Sequence, residues 1–389
     1  MFDSDSPKTM CVIVHNHPIH YKHLLFGALA KTGLNFKVLF TGAFSGQRLE
    51  KPLPKAGEYQ YEIGFDGPYE CAPKGVAANF VWRSLGRLSP NVVIISGYYD
   101  VAAWTAWTWA GLHGAKRVLW AESNEFDSHR HLAKELIKRL FVKHCDLAHV
   151  YGTSSRRYIE RLGMPAERIY AKRAVADTSL FFESNELGPP RPIQKQLIYV
   201  GRFAKEKNLE FLLRAFSRLK QDRDDPALVL SLVGYGPLES ELRNLTITLG
   251  LENAVRFLGK ALQAELPAIL RRADAFVLPS IYEPWGLVAN EAMLCGLPVL
   301  LSTQCGCTAD LCQTNTGWSF SPWDLRALTN LLLVVSSTPQ QRLREMGHAA
   351  AKLASVYSPD NCATIVSESI HQVISKPRSA VLLNRIRKD

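Results

Sequence analysis

The stretch 275-AFVLPSIYEPWGLVANEAMLCGLPVLLS-302 reads as strand, turn, helix and strand in immediate succession. AFVLPS and PVLLS are unbroken apolar runs, the pattern of strands whose sheet is covered on both faces. VANEAMLCG between them has helical character, and Gly296 suits its end. A strand–helix–strand unit with such strands predicts parallel neighbours in a layered α/β sheet. Two carboxylates lie on its single connection, Glu283 just past the first strand and Glu291 in the first turn of the helix. Carboxylates at the carboxyl edge of a sheet can accept hydrogen bonds from vicinal hydroxyls, as sugars and riboses offer. Two plainer readings stand beside this one. Glu291 is a helix-head glutamate favoured by the dipole, worth roughly a few tenths of a kcal/mol, and Glu283 is simply exposed.

The same rhythm extends upstream. From Gln196, QLIYVGR, ALVLSLVG and AVRFLG alternate with NLEFLLRAFSRLK, LESELRNLTITLG and AELPAILRRA. An earlier run pairs CVIVHN, NFKVLFTG, NVVIISG, RVLWAES and LAHVYG with helical segments such as HYKHLLFGALAKTG and RHLAKELIKRLFVKHC. The two runs meet at ESNELGPPRPIQKQ, a polar, proline-containing linker. The expected architecture is two doubly wound, Rossmann-like α/β domains facing across a cleft. Residues 1–182 form the first, 183–195 the linker, 196–357 the second, and 358–389 a C-terminal helix and basic tail. Ligands of open parallel sheets bind beyond the carboxyl ends of the strands, so the cleft is the expected active site.

Composition narrows the function. A chain of 389 residues, 47% hydrophobic, exceeds one comfortable core. The net charge of +10 points to anionic partners, but it is spread along the chain rather than blocked, which disfavours nucleic acid. Eight cysteines lie mostly beside apolar residues, and CGCTADLC (305–312) lacks the paired spacing of a zinc site. This usage fits a reducing cytoplasm. The start, MFDSDSPKTM, lacks the layout of a secretion signal. VVIISGYYDVAAWTAWTWAGL is divided by a Gly-Tyr-Tyr turn and Asp100 into strand and helix, so it reads as core rather than a membrane span.

Three further segments carry candidate chemistry. In YVGRFAKEKNLEFLLRAF, Gly201 ends a strand, and Arg202 and Lys207 flank the loop before a helix head. Cations beside exposed helix N–H groups can seat a diphosphate, or they are two solvated charges. LVGYGPLES places Gly234 and Gly236 in a turn that is not GxGxxG, which argues against a dinucleotide-binding dehydrogenase. These glycines permit either a tight turn or the close approach of a nucleotide. HNHPIHYKH holds His15, His17, His20 and His23, readable as acceptor- or phosphate-facing, as a metal site lacking further ligands, or as ordinary surface and core residues. Asp3-Ser4-Asp5 and Asp222-Arg223-Asp224 read as solvated charge. In VLWAESNEFDSHRH, Glu122 follows a strand and is expected to face the cleft.

Taken in order, Gly201-Arg202, Lys207-Asn208, VGYGPL and PSIYEPWGLVANEAMLCGLPVL resemble the C-terminal half of the family-4 retaining glycosyltransferases of GT-B fold. The match extends more loosely through Gly306, Gly317-Trp318 and Met346-Gly347; it is dense in the second domain and thin in the first. The resemblance implies that Arg202 and Lys207 neutralise the donor diphosphate. Glu291 would hold the ribose hydroxyls and Glu283 those of the transferred sugar. Trp285, Gly286 and Leu287 would offer backbone N–H groups, and Lys260 and Leu262 would lie beside the base. Glu122 would orient the acceptor or take its proton, with His15, His17 and His20 on the acceptor side. AVADTSLF resembles the crossing segment between domains without its Asn-Gly, with Asp177 and Phe181 as hinge structure. The C-terminal helix would pack back on the first domain.

The implied activity is retaining, metal-independent sugar transfer from a nucleoside-diphosphate sugar, with UDP-sugars slightly favoured and no cofactor, in polysaccharide, glycolipid or other glycoconjugate synthesis. The acceptor is a carbohydrate, lipid-linked or small-molecule hydroxyl. A nucleotide-sugar epimerase or phosphorylase of the same fold, or a non-catalytic sugar-nucleotide-binding protein, are the alternatives. Cationic and aromatic segments such as FVWRSLGR and NRIRKD permit contact with an anionic membrane surface.

Overall fold

The computed structural model describes residues 9–46, 57–126, 132–171, 174–182, 194–222 and 228–375. Asp3-Ser4-Asp5, most of the linker, Arg223-Asp224 and the NRIRKD tail lie outside them. Seven strands build the first sheet: β1 (Cys11–His15), β2 (Phe36–Phe40), β3 (Tyr61–Ile63), β4 (Val92–Ser96), β5 (Lys116–Ala121), β6 (Leu147–Val150) and β7 (Ile169–Ala171). Six build the second: β8 (Lys195–Val200), β9 (Leu228–Val233), β10 (Val255–Gly259), β11 (Ala275–Leu278), β12 (Val299–Ser302) and β13 (Gly317–Phe320). The orders are β3-β2-β1-β4-β5-β6-β7 and β10-β9-β8-β11-β12-β13, and every pairing is parallel. Both are doubly wound, as the alternation predicts. In each, the order reverses beside the first strand, between β1 and β4 and between β8 and β11. The crevice at such a reversal is where ligands settle in this class of sheet.

The apolar strands explain the layering. Val12, Val14, Val93, Ile95 and Leu119 point to one face of the first sheet, where helices Lys74–Leu88, Val101–Leu112 and Leu132–Lys143 cover them. Cys11, Ile13, Val38 and Ile94 point to the other, under helix His20–Lys31. Asp100, the residue that divides the long apolar stretch, caps Val101–Leu112 by accepting the Ala103 N–H at 2.7 Å. The three-residue edge strands β3 and β7 carry too few residues to show period in sequence.

Among the described residues the chain crosses between the domains at two places. At the first crossing Ala174, Val175 and Ala176 are buried, Asp177 caps a short turn of helix, and Phe181 is buried in the second domain's core. At the second, Ser355–Tyr357 leads to helix Pro359–Ser375, which packs against His20–Lys31 of the first domain. The crossings touch, since the Ala176 N–H donates to the Tyr357 carbonyl at 3.0 Å.

Candidate functional site

Between the domains lies a cleft of ≈ 670 Å³, bordered by the carboxyl ends of β8 and β11 and the head of helix Leu287–Leu294. Gly201, Arg202, Lys207, Lys260, Glu283, Gly286, Leu287 and Glu291 all line it. Residues separated by ninety positions in sequence thus meet because β8 and β11 are neighbours at the order reversal.

The charges are organised by pairing. The Lys207 ammonium, largely buried, donates to a Glu283 carboxylate oxygen. Arg202 lies further out, 2.8 Å from Glu206 and more than half exposed. Glu283 is held from behind: its backbone carbonyl accepts the Gly306 N–H at 2.9 Å, and the Trp285 carbonyl accepts the Cys307 N–H at 3.2 Å. A Cβ at Gly306 would lie 2.0 Å from the Pro284 carbonyl oxygen, so only glycine allows this stitch.

Glu291 lies one turn inside the helix, not in its first turn, because the helix starts at Leu287 from a left-handed Gly286 (φ +97°). Its carboxylate accepts from Gln263 Nε2 at 2.9 Å. Burial is the larger influence and pushes its pKa up to about 7, opposed by the Gln263 hydrogen bond and the nearby His20. Gly286, Leu287 and Val288 bring the head of this helix to the cleft wall beside these side chains, the end of a helix where backbone N–H groups lack intrahelical partners. Two cations, a helix head and two carboxylates can hold a polyanion with hydroxyl-bearing groups on either side.

Other candidates stand elsewhere. Trp285 is buried at the domain interface, donates from Nε1 to Asn290 at 2.8 Å, and packs between Tyr151 and Tyr357. Leu262 is exposed outside the lining, while its neighbours Gln263 and Leu266 form part of the wall. Gly234 and Gly236 do not line the cleft. Their Cβ atoms would fall 1.9 Å from the Gly201 carbonyl oxygen and 2.4 Å from that of Phe203, so they serve the packing of two loops rather than a nucleotide's approach. That packing presents Tyr235 to the cleft with Lys260 beside it, its Nζ 5.9 Å from the ring centre.

On the first-domain wall, His17 stacks on Tyr69 at 4.7 Å, and His20 faces Asp177 at 3.4 Å; both histidines line the cleft. His15 does not. It ends β1 and is buried edge-on against Phe26 and Phe40. Among the described residues no cluster of His, Cys, Asp and Glu is arranged to hold a metal ion. Glu122 sits at the carboxyl edge of β5 but outside the cleft lining, drawn to a buried Lys22 at 2.8 Å and to the Tyr151 hydroxyl. Lys22, ringed by Tyr21, Trp120 and Tyr151, went unnoticed in sequence because a lysine on a helix reads as surface.

The domains touch directly beside the site. Asn124 Nδ2 donates to the Glu283 and Pro284 carbonyls at 3.1 and 3.0 Å. Thr153 donates its N–H and hydroxyl to Asp310 at 3.0 and 2.7 Å, and Ser154 Oγ donates to the Gly306 carbonyl at 2.9 Å.

Residues 187–353 match the family described as Glycosyl transferases group 1. A glycogen synthase of Mycobacterium tuberculosis is 34% identical over 179 residues, 46% of this chain and 43% of that protein. The match therefore spans less than half the length of this relative. Over the whole fold, sucrose-phosphate synthase from Thermosynechococcus elongatus superposes with a TM-score of 0.75 at 18% identity, covering 94% of this chain and 99% of that one. Anabaena Alr3699/HepE in complex with UDP superposes at 0.72 and 17%, covering 94% and 100%. At these identities the structural likeness establishes the GT-B fold.

Proposed function

We propose, from a second domain that is a group 1 glycosyltransferase domain, that the chain transfers a sugar from a nucleoside-diphosphate donor to an acceptor hydroxyl, with retention and without a metal. The observation that carries this reading is the Lys207–Glu283 pair at the order reversal, with Arg202 and Glu291 on the same cleft. A diphosphate against Lys207, Arg202 and the helix head would leave Glu283 beside the sugar and Glu291 one helical turn away, within range of ribose hydroxyls. The base would lie toward Tyr235, Lys260 and Gln263. A neighbour of the same fold is described in complex with UDP-glucose, which supports a UDP-sugar.

In the step proposed, the acceptor oxygen bonds to the anomeric carbon as the bond from that carbon to the diphosphate oxygen breaks. The acceptor proton passes to the departing phosphate oxygen on the same face. Charge develops on the leaving diphosphate, where preorganised cations act most strongly. In this reading Lys207 and Arg202 would supply the charge that a divalent ion supplies elsewhere. The acceptor enters from the first-domain wall of His17, His20 and Tyr69, as a carbohydrate, lipid-linked or small-molecule hydroxyl for glycoconjugate synthesis.

Calorimetry with UDP, GDP and ADP, with and without EDTA, tests the donor site. One nucleotide is expected to bind with EDTA present, and Lys207→Ala and Glu291→Ala each to weaken it about tenfold or more. Binding that is lost in EDTA, or indifferent to both substitutions, refutes the assignment.

A further inference from the structure

Helix Leu132–Lys143, LAKELIKRLFVK, is built the wrong way round for a helix that meets only water. It buries Phe141 and Val142, while Leu132 is 86% exposed, Leu136 66%, Ile137 52% and Leu140 50%. Leu132, Leu136 and Leu140 recur every four residues, so they form one outward stripe. Exposed Arg139 and Lys143 lie on the same face as the stripe, whereas exposed Lys134 lies well round the helix from it. Arg157 and Arg161 of the adjoining helix Thr153–Arg161 are more than half exposed, near Glu125.

The stripe is continuous in layer with its neighbours. Helices Lys74–Leu88, Val101–Leu112 and Leu132–Lys143 share one core on one face of the first sheet. The layer they form and the turn leading into it carry nine of the sixteen large hydrophobic residues exposed among the described residues, Trp82 and Tyr99 included. So concentrated an apolar surface marks an interaction site.

We infer that this outer layer of the first domain docks on an anionic lipid surface, with helix Leu132–Lys143 lying flat in the interface. Charge selects the occupant. The helix carries four cations and one acid; Lys138 pairs inward with Glu135 at 2.8 Å, which leaves exposed Arg139 and Lys143 beside the Leu stripe and Lys134 further round, in a chain of net charge +10. A second copy packed symmetrically on this face would set the same cations against each other. An anionic bilayer takes both the leucines and the cations. No described helix is long and apolar enough to cross a membrane, so the contact is peripheral. Because the helix follows β5 through the segment that bears Glu122 and Asn124, docking brings the first-domain side of the cleft toward the lipid headgroups. The inference stands on exposure and charge and does not rest on the proposed transfer reaction.

Flotation with phosphatidylcholine vesicles, with and without one third phosphatidylglycerol, tests it. The full chain is expected to float with the anionic vesicles at low salt and to be released by high salt. Leu136→Glu/Leu140→Glu and Arg139→Glu/Lys143→Glu should each lower the bound fraction about tenfold, with unfolding temperature and UDP binding unchanged. Quenching of tryptophan fluorescence by brominated lipid gives a readout on the unsubstituted chain. Absence of flotation and quenching overturns the inference. So does flotation that survives the leucine substitutions, or a dimer in solution that those substitutions dissolve.

Discussion

Glu291 is the residue whose chemistry is most specifically set by its surroundings. Its folded pKa, about 7, lies above the ordinary carboxylate range because burial disfavours the charged form. The folded protein therefore holds the proton more tightly than the unfolded chain does. The stability this contributes is complete below the ordinary range and is lost as pH rises through about 7. Glu291→Gln removes the effect. Denaturant titrations at about pH 5 and pH 8 are expected to show wild type losing up to about 3 kcal/mol relative to the variant. Affinity should move the opposite way: a carboxylate grips hydroxyls better than a carboxylic acid, so wild-type binding of a UDP-sugar strengthens as pH rises through about 7 and that of Glu291→Gln stays flat. A flat wild-type profile would separate Glu291 from the donor. Such an environment is invisible in VANEAML, where the same glutamate reads as helix-head or surface. Arg202, Lys207 and Glu283 were legible because they follow recognisable strand ends, and Glu291 because it lies on the helix after one of them, though a turn deeper than its first turn. His15, Trp285 and Glu122 were not, since what holds them (Phe40, Tyr357, Lys22) lies far away in sequence.

Among the elements, strands with long apolar runs could be read directly, and the three-residue strands could not. The turn after β9 shows how a motif can be seen and its reason missed. VGYGP announces a tight connection, but two glycines suit a bound phosphate and a neighbouring loop equally well. The geometry selects the loop: Phe203 donates its N–H to the Tyr235 carbonyl at 2.9 Å, with both glycines pressed against the chain after β8. Gly234→Ala places a methyl 1.9 Å from a carbonyl oxygen at φ +138°. Thermal or urea unfolding is expected to show a loss of about 3 kcal/mol. A neutral result would mean that the two loops do not hold each other.

At the scale of the molecule, the domains meet through specific contacts beside the site. Asn124 spans the gap to two backbone carbonyls of the segment that carries Glu283. Asn124→Ala removes both bonds and leaves every second-domain cleft residue intact. Solution scattering should report a larger radius, and nucleotide affinity should fall several-fold, in keeping with about 1–2 kcal/mol lost from the closed arrangement. Unchanged scattering and affinity would show that closure does not depend on this bond. Sequence foretold two facing domains, because the alternation restarts after a polar linker. It could not foretell which loops touch, since that depends on glycines such as Gly152 and Gly306, whose missing side chains make room for the partner domain.

Helix Pro359–Ser375 gives the first domain a dependence on time. Cys362, Val366 and Ile370 complete a core with Ile13, Phe26 and Trp120, and Ser369 meets His149, which ends no strand but lies within β6. A ribosome delivers the strands of that domain early and its last helix only after the whole second domain has been made. During synthesis the seven-stranded domain is thus begun before its neighbour and completed after it, waiting with one flank of its sheet uncovered until this helix arrives.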